Sequence, residues 1–238
     1  ILQSWADNVW DTGIAFGTVA GKRGDTTVEV TTYRTENYDP DSRKPEVEYG
    51  DSIDGDLSRR DFTVNSMALE LTGEKPEFID PFNGLQDLAA KVLRTPVRPG
   101  DSFNDDPLRM MRAARFASQL NFEIAPEVLS SMKDLAHRIS IISAERVRDE
   151  FTKIMMSANP RIGITLLVDS GLADIVLPEI PKLRLEVDEH HHHKDVYEHS
   201  ITVLEQAIEH EDRLSGPNLV IRLAALLHDI GKPKTRAF

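Results

Sequence analysis

The apolar pattern of this 238-residue chain changes once. Before about residue 100, short β-branched runs stand between glycines and polar turns. From Asp106 onward the apolar positions recur at helical spacing. Strands first and helices after constrain the chain to an α+β arrangement, a sheet-bearing head followed by helical modules. Residues 15–20 and 26–33 predict a hairpin across Lys22-Arg23-Gly24-Asp25; if Val28 and Val30 face a core, Glu29 points to the opposite face of the sheet. Residues 35–50 predict a mobile loop, 60–71 a short helix, and 77–84 a strand running into a turn. A last short strand is expected at 91–97. Helices are expected over 126–138, 143–156, 160–170, 196–210 and 217–229, with Ser143 as an N-cap and Gly171 closing the helix before it.

The junction at Asp106 carries the strongest charged pattern. Asp106 suits the N-cap of a helix and Pro107 its first position, where a missing N–H costs nothing. Leu108, Met111, Ala114 and Leu120 can face a core. Arg109, Arg112 and Arg115 recur every third residue as a guanidinium stripe, which needs an anionic partner, either protein carboxylates or a ligand. A carboxylate and a guanidinium three residues apart can offer acceptor and donors to one planar partner.

Three other groups carry chemistry. Arg59-Arg60-Asp61 suits a triphosphate and a ribose hydroxyl, or simply a surface cluster with a capping aspartate. Glu29, in Val28-Glu29-Val30, suits a magnesium-binding carboxylate on a sheet face, or a solvent-facing glutamate. His199 and His228-Asp229 suit a divalent metal, or a structural His–Asp hydrogen bond. The last pair ends an apolar stretch, Leu223 to Leu227, that predicts a buried helix. The run His190 to His193 reads as an exposed loop.

Net charge of −12 argues against broad nonspecific nucleic-acid binding while leaving room for a local basic groove. No cysteine is present, which excludes disulfides and Cys-based zinc sites and fits a reducing compartment. No apolar run approaches the length of a membrane span and no signal-peptide pattern opens the chain. Both ends look cut, so a fragment of a longer protein is expected.

Residues 59–65 (Arg-Arg-Asp-Phe-Thr-Val-Asn), 80–84 (Asp-Pro-Phe-Asn-Gly) and 105–116 (Asp-Asp-Pro-Leu-Arg-Met-Met-Arg-Ala-Ala-Arg-Phe) resemble consecutive motifs of class II tRNA nucleotidyltransferases. These are the bacterial CCA-adding enzymes and the related poly(A) polymerases. His199 with His228-Asp229-Ile230-Gly231-Lys232-Pro233 resembles the HD domain of many members, and the run is most similar to actinobacterial versions. The likeness extends from about Gly13 to the end. It implies a partial polymerase-β-like nucleotidyltransferase head over 1–100, an all-α neck that recognises the base over 101–182, and the first part of a helical HD domain over 183–238.

The implied activity is template-independent addition of CMP, CMP and AMP to tRNA 3′ ends from CTP and ATP, with release of pyrophosphate. The implied cofactors are Mg2+ for transfer and a divalent metal in the HD domain, held by His199, His228 and Asp229. The implied partners are tRNA, ATP and CTP, with no membrane, in the cytoplasm. Glu29 matches a catalytic carboxylate; Arg59, Arg60 and Asp61 match triphosphate and ribose contacts. Asp105, Asp106 and Arg109 match the Glu-Asp-x-x-Arg motif, with Asp106 and Arg109 on the base edge and Arg112 and Arg115 toward the phosphates. Asp105 replaces the usual Glu. The family's Gly-Gly segment and Asp-x-Asp metal motif are absent and are expected upstream of Ile1. The final HD aspartate is expected beyond Phe238. The expectation is therefore an active intact protein and an inactive isolated segment. The alternatives are a poly(A) polymerase, an HD phosphohydrolase using the head as scaffold, and an RNA-binding or assembly module without catalysis.

Overall fold

The computed structural model of the protein describes residues 2–11, 14, 17–37, 46–49, 52–185, 187–188, 194–214 and 216–235. The histidine run 190–193 and residues 38–45 lie outside the described residues. The head opens with helix α1 (Leu2–Trp5) and strands β1 (Asn8–Trp10), β2 (Thr18–Arg23) and β3 (Thr26–Thr31). These three form one antiparallel sheet in that order, with Ala20 opposite Glu29 and Val19 opposite Val30. The expected hairpin is present, and the condition that Val28 and Val30 face a core is not met. Every residue of β3 is exposed, and Val28 and Val30 keep 36% and 49% of their surface. Alternation alone does not bury a strand unless another layer covers one of its faces.

Part of the expected loop is a ladder, since β4 (Arg34–Asn37) pairs antiparallel with β5 (Glu46–Tyr49). The expected helix at 60–71 is also replaced. Helix α2 (Ile53–Ser58) precedes it, a single 3-10 turn covers Thr63–Asn65, and β6 (Ala68–Glu70) pairs with β7 (Glu77–Ile79). Thr63 and Val64 are β-branched, and Thr63 finds its partner across the chain in Asp87, at 2.7 Å. Helix α3 (Gly84–Ala90) follows, its first amides accepted by Asp80 at 2.6 and 2.9 Å. The last head strand is shorter than expected: β8 (Val92–Leu93) runs parallel to β9 (Glu123–Ile124), which stitches head to neck.

The neck is built on α5 (Leu108–Leu120), which packs against α7 (Ala144–Met155) and α8 (Pro160–Asp169), while the preceding α4 (Pro99–Asp105) packs against α6 (Pro126–Leu135). Met110, Met111, Ala113, Ala114 and Ala117 retain no exposed surface, so α5 is enclosed on several sides rather than along one stripe. Leu120 is the exception to the expected core face, being 45% exposed at the helix end. Burying one methionine side chain is worth about 1.5–3 kcal/mol, so these positions anchor the module. Small residues let α8 approach closely. A Cβ on Gly163 would lie 2.4 Å from Ser118 Oγ and 2.6 Å from Ile154 Cγ2. Ser143 is at the N-cap of α7, although its hydroxyl makes no capping bond, and Gly171 ends α8 at φ 80°.

Short turns α9 (Ala173–Val176) and α10 (Glu179–Lys182) lead to the two-residue ladder β10 (Val187–Asp188) and β11 (Lys194–Asp195), then to α11 (Val196–Glu209) and α12 (Leu219–Leu227). The expectation that α12 is buried does not hold: Arg222 and Leu226 are buried, whereas Val220 is 75% exposed. A nearly all-apolar helix reads as enclosed, yet here Leu219, Leu223, Ala225 and Leu227 are only partly buried against the core and Val220 and Ile221 face outward. Arg222 reaches Glu211 through both oxygens at 2.7 and 2.6 Å and donates to the carbonyls of Met155 and Ser157. Arg161 on α8 grips Glu205 at 2.6 and 2.7 Å and Glu198 at 2.9 Å on α11. That contact raises the arginine's pKa and lowers that of Glu205. No described helix is long and apolar enough to cross a membrane.

Candidate functional site

The head and the neck meet where Asp106 separates α4 from α5. Asp106 is extended at φ −137° and ψ 97°, and its Oδ1 accepts the Leu108 amide at 3.1 Å. It therefore caps α5 as expected, with Pro107 already in helical conformation. It also ends α4, a helix that sequence reading missed because Pro99-Gly100-Asp101 reads as a turn. Its other oxygen lies 3.6 Å from Arg146 Nη2, and the side chain keeps 24% of its surface. Arg146 occupies the position on α7 where a capping-box glutamate would stand.

The three arginines of α5 do not form an open stripe. Arg109 is 8% exposed. Its Nη1 donates to Ser102 Oγ at 2.8 Å and its Nη2 to the Arg59 carbonyl. Arg112 donates Nε to Asp61 Oδ2 at 2.9 Å, with a second bond from Nη2. Arg115 turns to Glu150 at 2.6 Å and stacks 4.1 Å over the Phe116 ring. Three guanidiniums spaced by three residues thus diverge to three partners. Glu150 has no signal in its own neighbourhood that would assign it to Arg115.

On the head side, Asp61 Oδ1 accepts from the Phe62 amide at 2.8 Å and from Asn65 Nδ2 at 3.0 Å. Burial pushes the Asp61 carboxyl up; the Arg112 charge and the Asn65, Arg112 and Phe62 hydrogen bonds outweigh it, so its pKa is lowered. Asp56 holds both neighbouring arginines: Arg59 Nε at 3.2 Å and Arg60 Nη2 at 3.1 Å. Burial raises its pKa as well, and the two guanidiniums bring it below the ordinary value. Sequence reading missed Asp56, although its spacing of three and four residues from the arginine pair was a usable signal. Arg60 remains 45% exposed in its side chain.

Glu29 stands apart on exposed β3. Among the described residues, no group of three potential metal ligands includes it. Magnesium prefers several hard oxygens, so the described residues around Glu29 do not by themselves fit that ion.

His199, His228 and Asp229 do come together, with their donor atoms within 4.8 Å of one another. His228 Nδ1 donates to the Ala225 carbonyl at 2.8 Å, which turns Nε2 toward the cluster. His228 Nε2 is 3.2 Å from both His199 Nε2 and Asp229 Oδ2. Two imidazoles and a carboxylate suit a divalent transition metal. Lys232 Nζ, 2.8 Å from Asp229 Oδ2, already places a positive charge beside that carboxylate.

Comparisons with known proteins follow the same order along the chain. Residues 1–94 match the poly A polymerase head domain, 121–183 the probable RNA and SrmB-binding site of polymerase A, and 196–238 the HD domain. The CCA-adding enzyme of Streptococcus gordonii is 39% identical over 184 residues, 77% of this chain and 45% of that protein. That of Streptococcus uberis is 43% identical over 161 residues, 67% of this chain and 39% of that protein. The chain thus spans less than half the length of these relatives. Among solved structures, Bacillus stearothermophilus CCA-adding enzyme in complex with CTP matches at a TM-score of 0.66 and 28% identity, over 94% of this chain and 53% of that one. A tRNA nucleotidyltransferase complexed with a primer tRNA and an incoming ATP analog matches at 0.70 and 26%, over 92% of this chain and 58% of that one. Nucleotidyltransferase heads and HD domains generally depend on divalent metals. Head, RNA-binding and HD segments stand here in one order on one chain, with relatives about two-fifths identical, and the chain belongs to the tRNA nucleotidyltransferase and poly(A) polymerase family.

Proposed function

We propose that this chain is the nucleotide-selecting part of a CCA-adding enzyme, which transfers CMP, CMP and AMP from CTP and ATP to the 3′ end of tRNA in the cytoplasm. The observation that carries this reading is the Asp106–Arg109 pair at the head–neck junction. Cytosine and adenine both offer an exocyclic amine beside a ring nitrogen acceptor; uracil and guanine reverse that order. A carboxylate accepts from the amine, and a guanidinium donates to the ring nitrogen. One fixed pair therefore accepts C and A and rejects U and G. Asp106 spends one oxygen partly on its cap and keeps lone pairs for a base. The bonds described for Arg109 leave donors on Nε and Nη2.

In this proposal Arg59 and Arg60 hold the triphosphate, Asp61 accepts from the ribose, and Asp105 flanks the base-reading pair. Arg112 and Arg115 bias the junction toward anions while their own carboxylate partners hold them in place. The RNA 3′-hydroxyl attacks the α-phosphate and pyrophosphate leaves. Mg2+ would supply charge neutralisation at the phosphates when bound; Glu29 would give it one ligand, and the described residues around Glu29 do not complete its site. His199, His228 and Asp229 would hold a separate divalent metal. We place the head over 1–100, the neck over 101–182 and the HD segment over 183–238.

The test supplies full-length protein with tRNA lacking its 3′ end and CTP, ATP or both. Ordered C, C, A addition that then stops is the expected result. Long A tails would assign the poly(A) polymerase reaction instead. Phosphoester hydrolysis lost in His228→Ala and kept in Arg109→Ala, with no nucleotide addition, would assign the HD phosphohydrolase.

A further inference from the structure

We propose that Ser102 is a positioning residue for nucleotide selection, because it ties down both members of the base-reading pair. The inference rests on the assignment of Asp106 and Arg109 to the base edge. Ser102 lies in α4 and is fully buried. Its hydroxyl accepts from Arg109 Nη1 at 2.8 Å, and its carbonyl accepts the Asp106 amide at 3.2 Å. The same carbonyl lies 3.4 Å from Arg109 Nη1. One residue, outside the charged motif, thus reaches the backbone of the carboxylate and the head of the guanidinium.

The second corner of the Arg109 fork is fixed from the other side. Its Nη2 donates to the Arg59 carbonyl, in the segment proposed to hold the triphosphate. A guanidinium is planar, so two fixed corners on different nitrogens, with the side-chain attachment at Nε as the third point, define the plane in which its remaining donors point. Base discrimination depends on that plane, since a donor rotated away from the ring nitrogen rewards C and A no more than U and G. Alanine at 102 would keep the carbonyl contacts and the helix while removing the shorter bond. Arg109 Nη1 would then keep only the 3.4 Å contact to the residue-102 carbonyl, and the guanidinium would be firmly held only at the Arg59 corner.

The experiment measures, in the full-length protein with tRNA acceptors, the preference in kcat/KM for CTP over UTP and for ATP over GTP. Ser102→Ala, Arg109→Ala and the double variant are compared with the parent. Ser102→Ala is expected to lower both preferences about tenfold, within the range one specific base contact supplies. In the Arg109→Ala background the same substitution is expected to change neither preference. Two results overturn the inference while leaving the base-reading assignment intact. One is an unchanged preference in Ser102→Ala when Arg109→Ala loses it. The other is an equal drop from Ser102→Ala in both backgrounds. Full preference retained by Arg109→Ala sinks the base-reading assignment, and this inference with it.

Discussion

Glu29 and Arg109 belong to opposite ends of one proposed reaction, and their surroundings could hardly differ more. Glu29 sits on a strand exposed along its whole length. Arg109 is enclosed, with Nη1 fixed by Ser102 and Nη2 by the Arg59 carbonyl, on a helix whose Met110, Met111 and Ala113 have no exposed surface. A group that must hold its direction to within a hydrogen bond needs a rigid support whose own rotamers are locked. The proposed base-reading end has that support within the described residues. The carboxylate end does not, because metal chemistry needs several ligands converging on one point.

The contrast can be broken by substitutions, taken here from the largest effect to the smallest. Arg222→Met leaves Glu211 buried without its cation, and breaking such a pair costs about 3–5 kcal/mol. Denaturant unfolding is the measurement, and a loss near zero would show that the tie between α12 and the end of α7 holds nothing. Met111→Ala should follow, at about 2–5 kcal/mol, since it empties space beneath the arginine helix.

Asp61→Asn is next, at about 1.5–3 kcal/mol for hydrogen bonds to a charged group. Its sign with pH is fixed by the lowered folded pKa. The contribution of Asp61 is complete above the unfolded value of 3.8 and is lost as pH falls through the folded value below it. The gap between parent and variant should therefore close in acid, which unfolding midpoints at neutral and acid pH would register. Asp56, lowered in the same way, should behave alike. Smallest of all is Val30→Ala on the open strand, within about 0.5 kcal/mol. A cost near that of Met111→Ala would mean that this strand is covered in solution, and the contrast between the two regions would fall.

Much of this was legible from the residues alone. The order of strands before helices, the cap at Asp106 and the break at Gly171 follow from local rules, whereas the grouping of His199 with His228 and Asp229 came from the likeness to an HD domain. What escaped was set by contacts distant in sequence. Thr63 to Asn65 looked helical but turns once, because Thr63 bonds Asp87, 24 residues away. The arginine spacing suggested one platform, yet Ser102, Asp61 and Glu150 draw the three side chains apart. Nothing near Arg222 in the sequence announces that an arginine within Val-Ile-Arg-Leu-Ala is buried against Glu211. Periodicity reports which face is apolar; it does not report which faces are covered.

The most direct test of the base-reading pair is nucleotide binding without metal. Dissociation constants for CTP and UTP, measured in EDTA, are compared among the parent, Asp106→Asn and Glu29→Gln. Asp106→Asn should weaken CTP and erode its advantage over UTP by about 1–3 kcal/mol, while Glu29→Gln leaves both constants where they were. A CTP preference that survives Asp106→Asn and disappears in Glu29→Gln would contradict the account.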